Sequence, residues 1–275
     1  MRVIRIGHSP DADDAFMFYA LTHGKVEIPG VRIEHLLEDI ESLNRRAATG
    51  ELDVTAVSCA TYPSIADRYR IMDPGASMGK GYGPIIVARR AYATRTLRQK
   101  VIAVPGLGTT AYLLVRLALG DPPTIVVPFD QIPRVVLEGQ AHAGVLIHEG
   151  QITYAAMGLH KVLDLGERWG KATGLPLPLG INVTRRDLGE GLALRLSEAL
   201  RDSIRYAHEH PEEAVAYAMR YGRGIDAETC TRFVHMYVND YTVTLGEEGR
   251  LALATLYRQA VRKGLLAARP PLDPL

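Results

Sequence analysis

Ile4-Arg-Ile-Gly-His-Ser-Pro-Asp-Ala-Asp-Asp14 and Val101-Ile-Ala-Val-Pro-Gly-Leu-Gly-Thr-Thr110 read alike: a short β-branched strand, a small polar loop, then the start of a helix. The likeness continues downstream. Asp39 opens a helix that ends at Gly50, and a strand over 52–57 precedes Ser58. Asp130 opens one that ends at Gly139, and a strand over 143–147 precedes His148. A further strand ends in Met72-Asp73 in the first copy and in Leu163-Asp164 in the second. The period is too long for a solenoid. Two similar α/β lobes facing each other account for it economically.

Working outward, strands are expected over 3–6, 31–37, 54–57, 85–88, 101–104, 124–127 and 145–147, with helices over 14–22, 40–49, 59–69, 111–119 and 131–137. From Gly189 onward the chain reads as helical, over 192–209, 211–221, 227–237 and 247–263, with Pro211 well suited to a first turn. These helices are expected to pack on the first lobe. The extended stretches 83–89 and 180–185 bracket the second repeat as a pair of hinge strands. Lobe one is therefore expected over 1–88 plus 186–275, and lobe two over 89–185.

Of the 275 residues, 47% are hydrophobic and 23% charged, and the formal charge is +1. That is too apolar for disorder and leaves no basic footprint for nucleic acid or an anionic membrane. Cys59 and Cys230 form no metal-ligand pattern, and each is expected to be a buried thiol. The chain opens directly on a strand, with no secretory signal and no run of about 18 apolar residues, so a cytoplasmic protein is expected.

Open α/β sheets bind ligands where strands end and helix N-termini offer free N–H groups. Three such junctions carry small polar residues: Val57-Ser58-Cys59-Ala60, Gly106-Leu-Gly-Thr109-Thr110 and the stretch from Ser9 to Asp14. Capping alone explains any one of them, but Ser58 and Thr109 on facing lobes suit a shared carboxylate site. Gly106 and Gly108 lack the third glycine and the later acid of a dinucleotide fingerprint. His148 ends a strand at the counterpart of Ser58 and precedes Glu149; it suits either a general base or a structural cap. Asp11, Asp13 and Asp14 crowd a helix start, where capping and dipole pairing are expected, and no spacing of metal ligands is present. His8 is the one other histidine outside a plainly solvated or helical setting.

Several runs, in this order, resemble the 1,4-dihydroxy-6-naphthoate synthase family of the futalosine route to menaquinone. They are Ser9-Pro10 with Asp14, Phe16 and Phe18-Tyr19-Ala20-Leu21; Glu38-Asp39 with Glu41 and Leu43-Asn44; and Gly79, Gly81 and Gly83-Pro84. Val104-Pro105-Gly106 with Thr109-Thr110-Ala111-Tyr112, Ile147-His148-Glu149, and Thr173-Gly-Leu-Pro-Leu-Pro-Leu-Gly180 complete them. The resemblance covers nearly the whole chain. It implies a type II periplasmic-binding-protein fold, no cofactor, and a lyase that converts cyclic dehypoxanthinylfutalosine to 1,4-dihydroxy-6-naphthoate with release of a three-carbon sugar fragment. It further implies that His148 is the base and that Ala56, Val57, Ser58, Thr109 and Thr110 contact substrate; Ser9, Asp14 and Glu149 are further candidates. The opening departs from the family: Ala12-Asp13-Asp14 stands where Pro-Asn-Asp is commoner, with Asp11 just before. Extra acid beside an anion site repels a carboxylate. Two other readings are a solute receptor for a small organic acid, which would carry a signal or anchor, and the sister chorismate dehydratase, whose opening Ser9-Pro10-Asp11 does not match.

Overall fold

The computed structural model describes every residue except Arg223. The first copy of the repeat supplies β1 (Arg2–His8), α1 (Ala12–Thr22), β2 (Val31–Leu37), α2 (Ile40–Thr49), β3 (Val54–Ser58), β4 (Tyr69–Ile71) and β5 (Ser77–Gly79). After β6 (Ile85–Ala88) and the single turn α3 (Thr94–Leu97), the second copy supplies β7 (Ile102–Val104), α4 (Thr110–Leu119), β8 (Thr124–Val126), α5 (Ile132–Leu137) and β9 (Ala143–Leu146). Then come α6 (Gly150–Thr153), β10 (His160–Asp164), α7 (Leu165–Thr173) and β11 (Leu177–Arg185). The described residues after β11 form α8 (Glu190–Glu209), α9 (Pro211–Ala218), α10 (Ala227–Tyr237), α11 (Asp240–Val243) and α12 (Gly246–Arg262).

Local chemistry sets the ends of α2. The Asp39 carboxylate accepts from the Glu41 and Ser42 amides, and Gly50 turns left-handed at φ 75°. Helix α1 is apolar on nearly every side and buried from Ala12 to Leu21, because β1, α8, α9 and α10 surround it. Helices α8, α9 and α10 thus pack on α1 of the first copy. The end of the chain covers the β4 edge: the Leu275 amide donates to the Ile71 carbonyl, and Arg186 pairs with Asp273. Helix α12 reaches further, packing on β11 and on α4, so one apolar cluster runs through both sheets.

The two sheets have the same plan. One runs β2-β1-β3-β11-β4, with β5 alongside β11; the other, read in the matching direction, runs β8-β7-β9-β6-β10. In each, three parallel strands are followed by an antiparallel strand, β11 or β6. The strand pairing locates the exchange between sheets before Ile85 and before Leu177, a few residues earlier than the sequence suggests. Ile85–Ala88 pairs with β9 and β10 in the second sheet, and Leu177–Arg185 pairs with β3, β4 and β5 in the first. We therefore propose lobe limits of 1–84 plus 177–275 and 85–176.

The expected helix over 59–69 is absent. Only Tyr62–Ser64 forms a 3-10 turn, and Tyr69 begins a strand. Pro63 explains this: a helix from Cys59 would need an N–H at that position, and the proline ring would strike the Cys59 carbonyl. That carbonyl instead accepts from the Tyr257 hydroxyl at 2.9 Å. In the second copy Asp130 lies in a 3-10 turn, and Pro133 follows at the start of α5.

Gly166, at the start of α7, faces the backbone of Tyr82 and Gly83 so closely that a Cβ would overlap it. Since backbone on the exchange segment must move, Gly166→Ala is expected to lower unfolding free energy by about 3 kcal/mol, the upper end for overpacking. Chemical denaturation of the variant checks this.

Candidate active site

Between the sheets lies a cavity of about 750 Å³, its mouth included. Ser9, Asp11, Asp13, Asp14, Ala56, Val57 and Ser58 reach it from the first sheet, and Thr109, Thr110, Ile147, His148 and Gln151 from the second. Phe233 and Tyr237 of α10 close one side. Every residue that the sequence nominated faces this space except Glu149, which begins α6 behind His148.

The nominated hydroxyls are already engaged. Thr109 caps α4: its hydroxyl accepts from the Tyr112 amide at 3.2 Å and donates to the Gly106 carbonyl at 2.7 Å. Thr110 donates to the Leu179 carbonyl at 2.7 Å and accepts from the Ala60 amide at 3.1 Å, bridging the two sheets. Ser58 caps no helix, since none follows it. Buried Asn44 fixes it instead, donating to its hydroxyl at 3.1 Å and accepting from its amide at 2.9 Å. Two further bonds join the lobes nearby: the Gly108 amide donates to Glu41, and Thr61 donates to the Gly108 carbonyl. What α4 offers an anion is therefore its first-turn amides rather than the Thr109 hydroxyl.

Asp11 occupies the capping position of α1, yet its side chain makes no capping bond. The expected capping role is replaced by contacts across the cleft. Its Oδ2 takes the Ser9 hydroxyl and lies 3.3 Å from His148 Nε2. Asp14 accepts from the Ser9 amide at 2.6 Å, while Oδ1 of Asp13 is buried with no hydrogen-bond partner. His148 is the only described non-glycine residue in the left-handed region, at φ 54°. Gln151 satisfies three partners when its amide nitrogen faces the Gly83 carbonyl at 2.5 Å. Its oxygen then accepts from the Tyr237 hydroxyl at 2.7 Å and the His148 amide at 3.2 Å. Phe129 meets the imidazole edge-on at 4.9 Å.

Burial, and next the charge of Asp11, push the Asp13 carboxyl up to about 6, against the pull of His148. Asp14 is driven well above the carboxylate range by burial and then by Asp13, with the Ser9 amide opposing. A proton held on this pair removes part of the repulsion expected for a carboxylate ligand. Ligand atoms of Asp11, Asp13 and His148 lie within 4.8 Å of one another, the one grouping among the described residues close enough to hold a cation. His8 is not part of the site. It is 1% exposed, stacked on Phe18 at 4.3 Å, and held neutral near pKa 3 by burial and then by His35.

Asn44, Gln151, Phe233 and Tyr237 were not nominated. Asn44 alone left a signal: it shares the buried face of α2 with Leu43 and Ala47, where an amide is out of place unless it holds something.

A family profile described as "Menaquinone biosynthesis" matches residues 4–262 of the chain that builds this cleft. A curated relative from Thermus thermophilus, named 1,4-dihydroxy-6-naphthoate synthase, is 44% identical over 98% of each chain. Another of that name, from Streptomyces coelicolor, is 39% identical over 98% of this chain and 96% of its own. A crystal structure of an Archaeoglobus fulgidus protein superposes with a TM-score of 0.92 at 52% identity, covering 96% of this chain and 98% of that one. The alkanesulfonate-binding protein SsuA of Xanthomonas axonopodis, bound to MOPS, superposes with a TM-score of 0.72 at 13% identity, over 98% of this chain and 96% of its own. It shares the two-lobed binding-protein fold. Among the described residues, no helix is long and apolar enough to cross a membrane.

Asp13 titrates higher folded than unfolded, so its ionisation weakens the fold as pH rises from about 4 through about 6. Asp13→Asn is expected to stabilise the protein by up to about 3 kcal/mol at pH 8, the cost of ionising a carboxyl whose titration the fold raises by about two decades, and by little near pH 4. Thermal unfolding at both pH values checks the sign.

Proposed function

The chain belongs to the menaquinone-biosynthesis family, and from that premise we propose that it is a 1,4-dihydroxy-6-naphthoate synthase, a carbon–carbon lyase acting on cyclic dehypoxanthinylfutalosine. The observation that carries the chemical reading is His148, an imidazole at a strand end on the wall of a cleft that also receives the N-terminus of α4. The solute-receptor and chorismate-dehydratase readings have no comparable support: both curated relatives are named as the synthase, and the binding-protein likeness is one of fold.

In this reading the substrate carboxylate lies at the first-turn amides of α4, within reach of the Ser58 hydroxyl, and Ala56 and Val57 form the floor beneath it. His148 lifts a proton from the substrate, a carbon–carbon bond breaks, and the ring system becomes an aromatic naphthoate as a three-carbon sugar fragment leaves. The lobe contacts made by Thr110, Thr61 and Gly108 exclude water while this occurs. Ser9 and Asp14 act indirectly, by fixing the loop that faces His148. The chemistry uses no cofactor, and a soluble intermediate suits a cytoplasmic enzyme.

His148→Asn is expected to fold normally and to lose turnover by roughly 10²- to 10⁴-fold, the range for losing a general base, with KM within about tenfold of wild type. Naphthoate absorbance with the cyclic futalosine derivative reads this directly. Near-wild-type turnover with intact folding would move the base elsewhere. Thr109→Val removes the α4 cap, so it is expected to raise KM while leaving kcat within a few-fold, together with about 1 kcal/mol of lost stability. An unchanged KM would show that the Thr109 cap does not order the α4 N-terminus for the substrate.

A further inference from the structure

Asp11 and His148 belong to different sheets. Asp11 follows β1 in the first and His148 follows β9 in the second, yet their side chains meet at 3.3 Å between Oδ2 and Nε2. Three features make this a built contact. Asp11 is 1% exposed, and its side chain turns to this contact without capping α1. The Ser9 hydroxyl holds the same carboxylate oxygen from behind. The imidazole is fixed in turn by Phe129 on one side and by the strained backbone of His148, whose amide faces Gln151.

We infer that Asp11 is the positioning residue of the base: its carboxylate takes the Nε2 proton of His148, so that Nδ1 is the nitrogen presented to substrate, and this pair forms only when the two lobes close. An imidazole that donates from one nitrogen accepts at the other, so the partner of Nε2 selects the tautomer. Because the partner comes from the opposite lobe, an open cleft leaves the ring without its orienting group, and the base is completed by the same movement that excludes water. Among the described residues, the groups facing His148 include Asp11 and Asp13 from the first lobe, Phe233 from α10, and Phe129 and Gln151 from its own lobe. Among the described residues, Asp11 is the group that meets a ring nitrogen of His148 at ion-pair distance, 3.3 Å.

The catalytic part of this inference rests on the naphthoate-synthase reading; the tautomer part does not. Long-range ¹H–¹⁵N spectra of the uniformly labelled full chain report the protonated nitrogen of each imidazole, and His148→Asn identifies the His148 signal by its loss. The expected result for wild type is an Nε2–H, Nδ1-unprotonated ring, and in Asp11→Asn and Asp11→Ala a loss of that preference. With the cyclic futalosine derivative, both variants are expected to lower kcat by about 10²-fold with KM within about threefold. A purely structural Asp11 would lower melting temperature while leaving the tautomer and kcat in place. A wild-type ring protonated on Nδ1, or variants that keep both tautomer and kcat, overturns the inference. Should either variant fail to fold, the wild-type spectrum still decides the tautomer. Should wild type turn over none of the derivative, the function reading fails while the tautomer result stands on its own.

Discussion

Thr110 donates its hydroxyl proton to the Leu179 carbonyl and accepts from the Ala60 amide, and with that one side chain the second lobe is fastened to the first. Each such bond is worth only about 1 kcal/mol net. Its importance lies in what it aligns. Thr110 begins α4, Leu179 lies in β11, and Ala60 follows β3, so the bond draws a helix N-terminus against the ends of two inner strands of the opposite sheet. The neighbouring contacts of Gly108 with Glu41 and Thr61 repeat the pattern. The seam lies beside the cavity in which Asp11 meets His148. Residues that a reader of the sequence would assign to substrate thus do much of their work on each other.

The charge content of the cleft follows from the same geometry. Three aspartates at one helix start would be tolerable in water, but here they are enclosed. The molecule spreads the burden three ways: one carboxylate meets an imidazole, one takes a backbone amide, and Asp13 is left with a buried oxygen and a raised pKa. A site so arranged is easier to enter for an anion than the count of acids suggests, because a proton held on Asp14 cancels part of the repulsion.

Much of this is legible in the sequence wherever local chemistry decides structure. Asp39 and Gly50 announce both ends of α2, and the paired motifs at Ile4 and Val101 announce the duplication that the sheet orders then display. His148 at a strand end is readable for the same reason. The departures have physical causes as well. Pro63 forbids the helix expected after Ser58, a local signal that outweighs the apolar pattern around it. The exchange points fall earlier than expected because strand pairing is not local: β11 pairs with β3 across more than a hundred residues of sequence. Asp11 reads as a cap from its position alone, since the ring it turns towards lies 137 residues away in the chain.

The exchange of inner strands also bears on the order in which the chain can assemble. The second lobe is nearly continuous, and each of its five strands lies within one stretch of chain. The first is not: until β11 has been synthesised, β3 lacks the neighbour to which it bonds from Val54 to Ser58, and α1 lacks the helices that bury it. On the ribosome, the part made first must therefore wait for the part made last. Its strands β2, β1 and β3 can pair with one another, but β3 keeps an open edge and α1 an uncovered apolar surface while the later-made lobe condenses. The topology that builds a closing cleft thus reverses the usual vectorial order of folding and makes the N-terminal half the slow partner.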